Sequence, residues 1–195
     1  ILFKLGAPGE HLAMNGLAVL AAVEAAGGDV AQSMLALASW QAPSGRGQRF
    51  TVQLGETGGS VELIDESYNA NPTSMVAALA VLAAATPAQE NGRCVAFLGD
   101  MLELGPQEQA YHSDLSDAVP MAAIDKVHTS GPLMAALHAA LPDHRRGQHF
   151  DAAAQMAACV NRLLDSGDVA MVKGSLGSKV GQVVTAIKTL GQTSE

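Results

Sequence analysis

The densest group of polar side chains in the sequence follows a predicted strand that ends at Ile64. The loop 65–72 carries two carboxylates and two asparagines, and a helix is predicted directly after it. Pro72 disfavours a helical conformation at the residue before it, so Thr73 or Ser74 is expected to supply an early cap. Carboxylate and amide groups beside a helix N-terminus suit a polar, partly anionic ligand. The alternative is that the asparagines only close their own turn and cap the helix.

Two further predicted strands also end in polar loops. The strand that ends at Leu98 is followed by Asp100 and Glu103, which suit a cation, an amine or an arginine as ligand. The alternative there is a tight turn that docks its apolar residues into the core. The strand that ends at Val172 is followed by Lys173-Gly174-Ser175, whose ammonium and N–H groups predict an anion site at a helix start. The alternative is a simple cap with a solvated lysine, and the glycine spacing excludes a Walker-type phosphate loop.

Histidines give weaker signals. His11 and Asn15 lie four residues apart on one face of a predicted helix, where both could reach one ligand, although capping and packing explain the pair equally simply. His128, His138, His144 and His149 lack the spacing of a metal site, so no metal ligand is predicted. The sequence also lacks a Gly-x-Ser-x-Gly nucleophile turn.

The elements that must position these loops alternate between short strands and helices. Helices are expected at about 11–26, 30–37, 73–85, 106–118, 132–141, 152–165 and 178–190, and strands at about 50–54, 61–64, 94–98, 126–129, 149–150 and 169–172. This order predicts an α/β fold with a mostly parallel sheet, helices on both faces and an N-terminal hairpin. Since ligands of such sheets bind beyond the carboxyl ends of the strands, the polar loops should share one edge.

Composition limits the classes of protein to consider. Among the 195 residues, 48% are hydrophobic and 15% are charged, which excludes a disordered chain of low hydrophobicity. A net charge of −8 disfavours nucleic acid and anionic lipid as general partners, and no apolar run is long enough to insert into a membrane. Cys94 and Cys159 are far apart and are interpreted as buried apolar residues. No signal peptide is recognised, so a cytoplasmic location is expected.

Several segments together resemble the Mur ligase family. Residues 63–75 (Leu-Ile-Asp-Glu-Ser-Tyr-Asn-Ala-Asn-Pro-Thr-Ser-Met) look like a signature of the family, and residues 98–105 and 172–175 agree with it. Residues 9–15 resemble its Gly-x-His-Asn-x-x-Asn segment, and residues 43–46 resemble its Pro-x-x-Gly-Arg boundary. These segments cover the chain nearly end to end in the family's order.

The resemblance implies a position within a three-domain enzyme. Residues 1–47 would be a helical remnant, the C-terminal end of a central ATP-binding domain, and residues 48–195 a Rossmann-like C-terminal ligase domain. The first residue, Ile1, and the absence of a P-loop from the sequence support the expectation of a fragment that is inactive alone. The alternative is a stand-alone binding module for a nucleotide or small peptide without catalysis.

The resemblance also implies an activity. The branch of the family that this chain resembles uses ATP to add D-alanyl-D-alanine to UDP-N-acetylmuramoyl-tripeptide through an acyl phosphate, during synthesis of peptidoglycan precursors. ATP and Mg²⁺ would be the cofactors, with the Mg²⁺ ligands upstream of this chain. The partners would be the two substrates and the missing N-terminal and central domains, without nucleic acid or membrane insertion.

The nucleotide would meet residues from both predicted domains. Asn15 matches the family's asparagine near the adenine, with His11 beside it. Arg46 matches the boundary arginine that meets the ATP phosphates when the domains close. Asp65 is assigned near the ribose or the Mg²⁺ shell, with Glu66 as the alternative. Arg46 and Asp65 are therefore the expected catalytic residues.

The incoming dipeptide would meet the polar loops. Asn69 is expected to face the nucleotide or the dipeptide, and Asn71 and the turn from Lys173 to Ser175 would face the dipeptide or the phosphates. Lys173 would pair with the dipeptide carboxylate. Leu176 stands where related ligases often carry arginine, which argues against an anion contact at that position.

Overall fold

The computed structural model describes residues 2–6, 9–55 and 58–191, and these residues form two compact units. The first unit is Ile1–Pro43 and the second is Ser44–Glu195. The division lies four residues before the boundary expected between residues 47 and 48. The assignment of the first unit to a central ATP-binding domain stays a prediction.

The first unit contains two helices, α1 (Glu10–Ala25) and α2 (Val30–Ser39). Gly27 follows α1 with a φ of 74°, the left-handed conformation that favours glycine at a helix end. The Asp29 side chain accepts a hydrogen bond of 3.0 Å from the backbone N–H of Gln32 and caps α2. None of the helices in the described part of the chain is long and apolar enough to cross a membrane.

The second unit is built on a six-stranded sheet. Its strands are β1 (Gln48–Gln53), β2 (Ser60–Glu66), β3 (Cys94–Gly99), β4 (Lys126–Ser130), β5 (Arg146–Phe150) and β6 (Val169–Lys173), in the spatial order β1-β2-β6-β3-β4-β5. β1 and β2 pair antiparallel as a hairpin, and every other neighbouring pair is parallel. The predicted α/β class with a mostly parallel sheet is confirmed.

Helices cover both faces of this sheet. They are α3 (Pro72–Ala83), α4 (Glu108–Ser113), α5 (Met134–Ala140), α6 (Ala153–Ala157) and α7 (Gly181–Thr189). Alternate residues of β3 point to opposite faces, so Leu98 joins the apolar cluster under α3 and α5, whereas Phe97 joins the cluster under α6 and α7. Both side chains are fully buried.

Two predicted helices are shorter than expected. Residues 106–118 form α4 between two 3₁₀ turns, and the Ser113 hydroxyl at the end of α4 bonds back to the Ala110 carbonyl. Residues 152–165 form α6 and one 3₁₀ turn. Beyond that turn the Arg93 guanidinium donates to the Leu163 carbonyl, and the Asp168 side chain accepts from the Asp165 N–H.

The edge strand β5 is longer than the predicted pair 149–150. All five of its residues are partly or fully exposed. An exposed edge strand needs no buried apolar face, so its sequence, Arg-Gly-Gln-His-Phe, lacks the alternation of apolar residues that marks a strand. Gly147 allows the strand to approach its neighbour, since a Cβ there would lie 2.6 Å from Nδ1 of His128.

Candidate functional site

Three polar loops meet at one edge of the sheet. β6 lies between β2 and β3, and Lys173 is opposite Glu66 on one side and opposite Leu98 on the other. The loops that follow Ile64, Leu98 and Val172 are therefore side by side, as the parallel pairing predicts. The groups in these loops differ in whether the protein already uses their hydrogen-bonding capacity.

Lys173 is buried, with 3% of its surface exposed. Its ammonium donates a hydrogen bond of 2.9 Å to the Asn69 carbonyl and lies 3.5 Å from Oε2 of Glu66. Burial lowers the pKa of Lys173 below its ordinary value, while the Glu66 carboxylate opposes that shift. The ammonium that the sequence suggested for a substrate carboxylate thus joins β6 to the loop after β2.

Ser175 ties the same three loops together through its side chain and backbone. Its hydroxyl accepts a hydrogen bond of 2.9 Å from the Leu102 N–H and lies 3.3 Å from the Ala70 carbonyl, to which it donates. Its own N–H donates to the Asp100 carbonyl at 3.0 Å. The hydroxyl is fully engaged in joining loops.

Asp100 and its neighbours are also paired. The buried Asp100 carboxylate accepts a hydrogen bond of 2.8 Å from the N–H of Met134, the first residue of α5. The next N–H, of Met101, donates to Nε2 of the fully buried His112 at 2.9 Å. Of the two interpretations of this loop, the structure favours the docked turn. Asp100, Lys173 and Ser175 are called the buried hub below.

Asp65 shapes the loop that follows β2. It is 3% exposed, and its Oδ1 accepts hydrogen bonds from both the N–H (3.1 Å) and the hydroxyl (2.7 Å) of Ser67. This Asx-type turn sets the direction of the next residue, Tyr68. Glu66 points instead toward Lys173 and Gly47.

The two asparagines of this loop hold local structure. Asn71 caps α3, because its side chain accepts from the Ser74 N–H at 2.8 Å while the Ser74 hydroxyl accepts from the Asn71 N–H at 3.0 Å. Ser74 thus takes part in the capping, as expected, but the N-cap residue itself is Asn71. The Asn69 side-chain oxygen accepts from the Ala70 N–H at 2.9 Å. The side-chain oxygens of both asparagines therefore accept hydrogen bonds within their own loop and helix start, as in the alternative interpretation.

Arg46 stands in a segment that two glycines dock against this loop. Gly45 and Gly47 have φ values of 71° and 95°, and a Cβ on Gly45 would lie 2.9 Å from the Tyr68 nitrogen. The Tyr68 N–H donates to the Gly45 carbonyl at 3.1 Å, and the Gly47 N–H donates to the Asp65 carbonyl at 2.8 Å. The exposed Arg46 guanidinium lies over the Tyr68 ring, 4.1 Å from its centroid.

An open cleft of about 480 Å³ lies beside this arginine. Its walls are Ser44, Gly45, Ser67, Tyr68 and Leu176, together with Lys179 and the first residues of α7. Lys179 is the only charged residue in that lining, within the part of the chain that the structure describes. This space is called the open cleft below, and its chemistry suits an anion.

Sequence reasoning missed Tyr68 and Lys179. Tyr68 lies within segment 63–75, which resembles the family signature, but nothing in the sequence indicated that its ring would stack against the Arg46 guanidinium. Lys179 follows the Lys173-Gly174-Ser175 turn by four residues, and its signal was the second Gly-Ser pair, Gly177-Ser178, directly before it. A lysine after that pair was the better candidate for exposure.

His11 and Asn15 belong to the first unit. Both lie in α1, one turn apart, with Asn15 exposed and His11 half-buried. Their predicted positions near an adenine stay predictions.

The histidines without predicted roles support the fold. The buried His128 ring stacks on Phe97, and its Nδ1 accepts from the Gln148 N–H at 3.0 Å. Burial, followed by the charges of Arg93 and Lys126, lowers the pKa of His128 to about 4. Within residues 2–6, 9–55 and 58–191, no group of three or more His, Cys, Asp or Glu residues could hold a metal ion.

Comparison with known proteins gives a consistent family. The family described as "Mur ligase, glutamate ligase domain" matches residues 48–176. The UDP-N-acetylmuramoyl-tripeptide–D-alanyl-D-alanine ligase of Escherichia coli is 33% identical over 186 residues, which are 94% of this chain and 38% of that protein. The ligase of the same name from Bacillus subtilis is 29% identical over 180 residues, 90% of this chain and 37% of that protein.

Solved structures agree with this result. MurF from Acinetobacter baumannii superposes with a TM-score of 0.77 at 26% identity, over 95% of this chain and 39% of that one. MurF from Thermotoga maritima in complex with ADP gives a TM-score of 0.75 at 20% identity, over 94% of this chain and 39% of that one, and shows the shared fold. The chain spans less than half the length of these relatives. Because the family match covers most of the chain and includes all three polar loops, the chain belongs to the Mur ligase family.

Proposed function

We propose that this chain is the C-terminal part of an ATP-dependent ligase that adds D-alanyl-D-alanine to UDP-N-acetylmuramoyl-tripeptide, in the cytoplasm, during synthesis of peptidoglycan precursors. The observation that carries the proposal is the similarity over 94% of the chain to a ligase of that name. The open cleft, with its cationic lining, supplies chemistry that suits anionic substrates. Since the chain covers 38% of that relative, the proposal concerns a longer protein.

The proposed reaction has two steps. The γ-phosphoryl group of ATP passes to the terminal carboxylate of the tripeptide, which gives an acyl phosphate and ADP. The amine of D-alanyl-D-alanine then attacks the acyl carbon, the amide bond forms and phosphate leaves. Phosphorylation turns a poor leaving group into a good one, so the task of the protein is positioning and charge stabilisation.

Arg46 is the residue that we assign to the phosphates. Its guanidinium is exposed, rests on Tyr68 and forms no ion pair within the described ranges, so its charge is available to a ligand. We assign Asp65 a positioning role beneath it, because that carboxylate is buried and orients Ser67 and Tyr68. Mg²⁺ would be held by residues outside this chain, and His11 and Asn15 would approach the adenine when the full protein closes.

The buried hub holds the floor of this site. Lys173 and Ser175 fix the loops after β2, β3 and β6 relative to each other. The exposed Asn69 remains at the surface of the same edge, where the dipeptide would arrive, while Asn71 caps α3 beside it.

Phosphate release by the full-length parent protein tests the proposal. Release should require ATP, Mg²⁺, the UDP-linked tripeptide and D-alanyl-D-alanine together. Arg46→Ala should lower kcat/KM by about a hundredfold, the range for losing one charge-stabilising donor. Arg162→Ala is the matched control, since it removes an exposed arginine from a 3₁₀ turn outside the three polar loops. Release without the dipeptide, or an Arg46→Ala rate within twofold of the parent, would overturn the proposal.

A further inference from the structure

We propose that Lys179 is the residue that binds an anionic group of the substrates in the open cleft, either the dipeptide carboxylate or a nucleotide phosphate. The inference rests on the proposed function and moves the anion-binding role from Lys173, where the sequence placed it, to a lysine six residues later.

Lys173 is not accessible to a substrate anion. Its ammonium is buried and bonded to the Asn69 carbonyl, with the Glu66 carboxylate at 3.5 Å. A ligand would have to displace both partners and enter the protein to reach it. The hydrogen-bonding capacity of this lysine supports the loops rather than a substrate.

Lys179 is an exposed cation at the open cleft. It is one of the residues that line this cleft, and no carboxylate shares that lining among the residues that the structure describes. Ser44, Ser67 and Gln182 surround it with neutral polar groups. An anion that enters the cleft meets one cation at its wall and no opposing charge.

The backbone of Lys179 has a conformation that is uncommon for a residue with a side chain. It has a φ of 60° and a ψ of 21°, a left-handed conformation in which glycine is the usual residue. Its N–H donates to the Leu176 carbonyl at 3.1 Å, and its carbonyl accepts from the Gln182 N–H at 3.1 Å. The turn therefore fixes where the lysine stem leaves the backbone, and this chain has a lysine at a position where glycine would cost less free energy.

Arg46 lies next to the open cleft, on Tyr68. Tyr68 lines the same cleft and carries the Arg46 guanidinium at 4.1 Å from its ring centroid. Arg46 is not part of the lining but stands next to it on Tyr68, so a second cation close to the cleft suits a substrate with more than one anionic group. Leu176, on the same wall, supplies only apolar surface, so Lys179 is the charged group on the α7 side.

Steady-state kinetics of the full-length parent test the inference. Lys179→Gln should raise one KM about tenfold, the range for losing a charge-assisted hydrogen bond, while Lys179→Arg stays near the parent value. Use of D-alanyl-D-alaninamide, which lacks the carboxylate, separates the two sources. If Lys179 binds the dipeptide carboxylate, Lys179→Gln raises KM for the dipeptide but not for the amide; if it binds a phosphate, the KM for ATP rises instead. Arg162→Gln is the control with the same change of charge.

Lys179→Gly adds a readout that a purely structural role would not give. Glycine relieves the left-handed backbone, so the unfolding midpoint should stay level or rise while the same KM increases. Titration with inorganic pyrophosphate, followed calorimetrically, needs no ligase activity and should show weaker binding in Lys179→Gln if the bound group is a phosphate. An inactive parent that still binds pyrophosphate through Lys179 would refute the proposed function alone. Unchanged KM values and unchanged pyrophosphate binding in an active parent would refute this inference alone.

Discussion

The buried hub and the open cleft lie at the same edge of the sheet and contain similar polar residues, yet they differ in what those residues contact. In the hub, Lys173, Ser175 and Asp100 bond to backbone groups of neighbouring loops. At the cleft, Lys179 belongs to the lining and Arg46 stands beside it, and both are exposed. A polar residue near a strand end is therefore available to a ligand only where the fold leaves it without a hydrogen-bond partner.

Lys173→Met should give the largest effect on stability. It removes a buried ammonium and leaves the Asn69 carbonyl and the Glu66 carboxylate without their partner. We expect the free energy of unfolding to fall by about 3 kcal/mol, measured by urea denaturation. Lys179→Met, the matched change in the cleft, should stay within about 0.5 kcal/mol of the parent. Equal losses would erase the distinction between the two regions.

The pH dependence of unfolding sharpens this prediction. Burial lowers the pKa of Lys173 in the folded chain below the ordinary value of 10.5 that applies when the chain is unfolded. Between the two values the unfolded chain binds more protons, so the free energy of unfolding should rise with pH through that window. Lys173→Met should remove this rise in a urea series taken at increasing pH. A slope that survives the substitution would show that another group causes it.

Asp100→Ala should be the next largest change. It leaves the buried N–H of Met134 without an acceptor at the start of α5. The expected loss is about 2 kcal/mol in the free energy of unfolding. Asp100→Asn keeps an oxygen acceptor and should recover most of that loss. If Asp100→Asn instead abolished ligase activity at full stability, Asp100 would belong with the cleft residues.

Asn71→Ala should cost about 1 kcal/mol by removing the cap of α3. Asn71→Ser keeps a capping oxygen and removes the amide. The prediction is that Asn71→Ser restores the unfolding midpoint and leaves the KM for the dipeptide unchanged. A raised KM in the stable Asn71→Ser variant would show that the amide meets the substrate as well.

Tyr68→Ala should have the smallest effect, and it should appear in kinetics. Loss of the ring frees the Arg46 guanidinium, and stacking of this kind at an exposed site corresponds to about a threefold change in an equilibrium. The KM for ATP should therefore rise about threefold, with the unfolding midpoint nearly unchanged. Tyr68→Phe keeps the aromatic face and should behave like the parent. A similar KM in all three proteins would mean that Arg46 needs no support from Tyr68.

The sequence predicts the sheet and the meeting of the loops because those features follow from local patterns. Alternating strands and helices set the parallel order, and parallel order places the residues after Ile64, Leu98 and Val172 at one edge. What the sequence could not provide was the pairing within that edge. The ammonium of Lys173 reaches a backbone carbonyl 104 positions away, and no local pattern reports such a contact. The same limit applies to Arg93, whose guanidinium reaches the Leu163 carbonyl 70 positions away.

The most direct test measures the unfolding midpoint and the KM values on the same preparations of Lys173→Met and Lys179→Gln in the full-length parent. The two variants should each change one of these two quantities and leave the other close to the parent value. Lys173→Met should lower the midpoint with KM values close to those of the parent at a temperature where it is folded, and Lys179→Gln should keep the midpoint and raise one KM about tenfold. A stable Lys173→Met protein with a raised KM, together with an unaffected Lys179→Gln protein, would contradict the account and return the anion-binding role to the buried lysine.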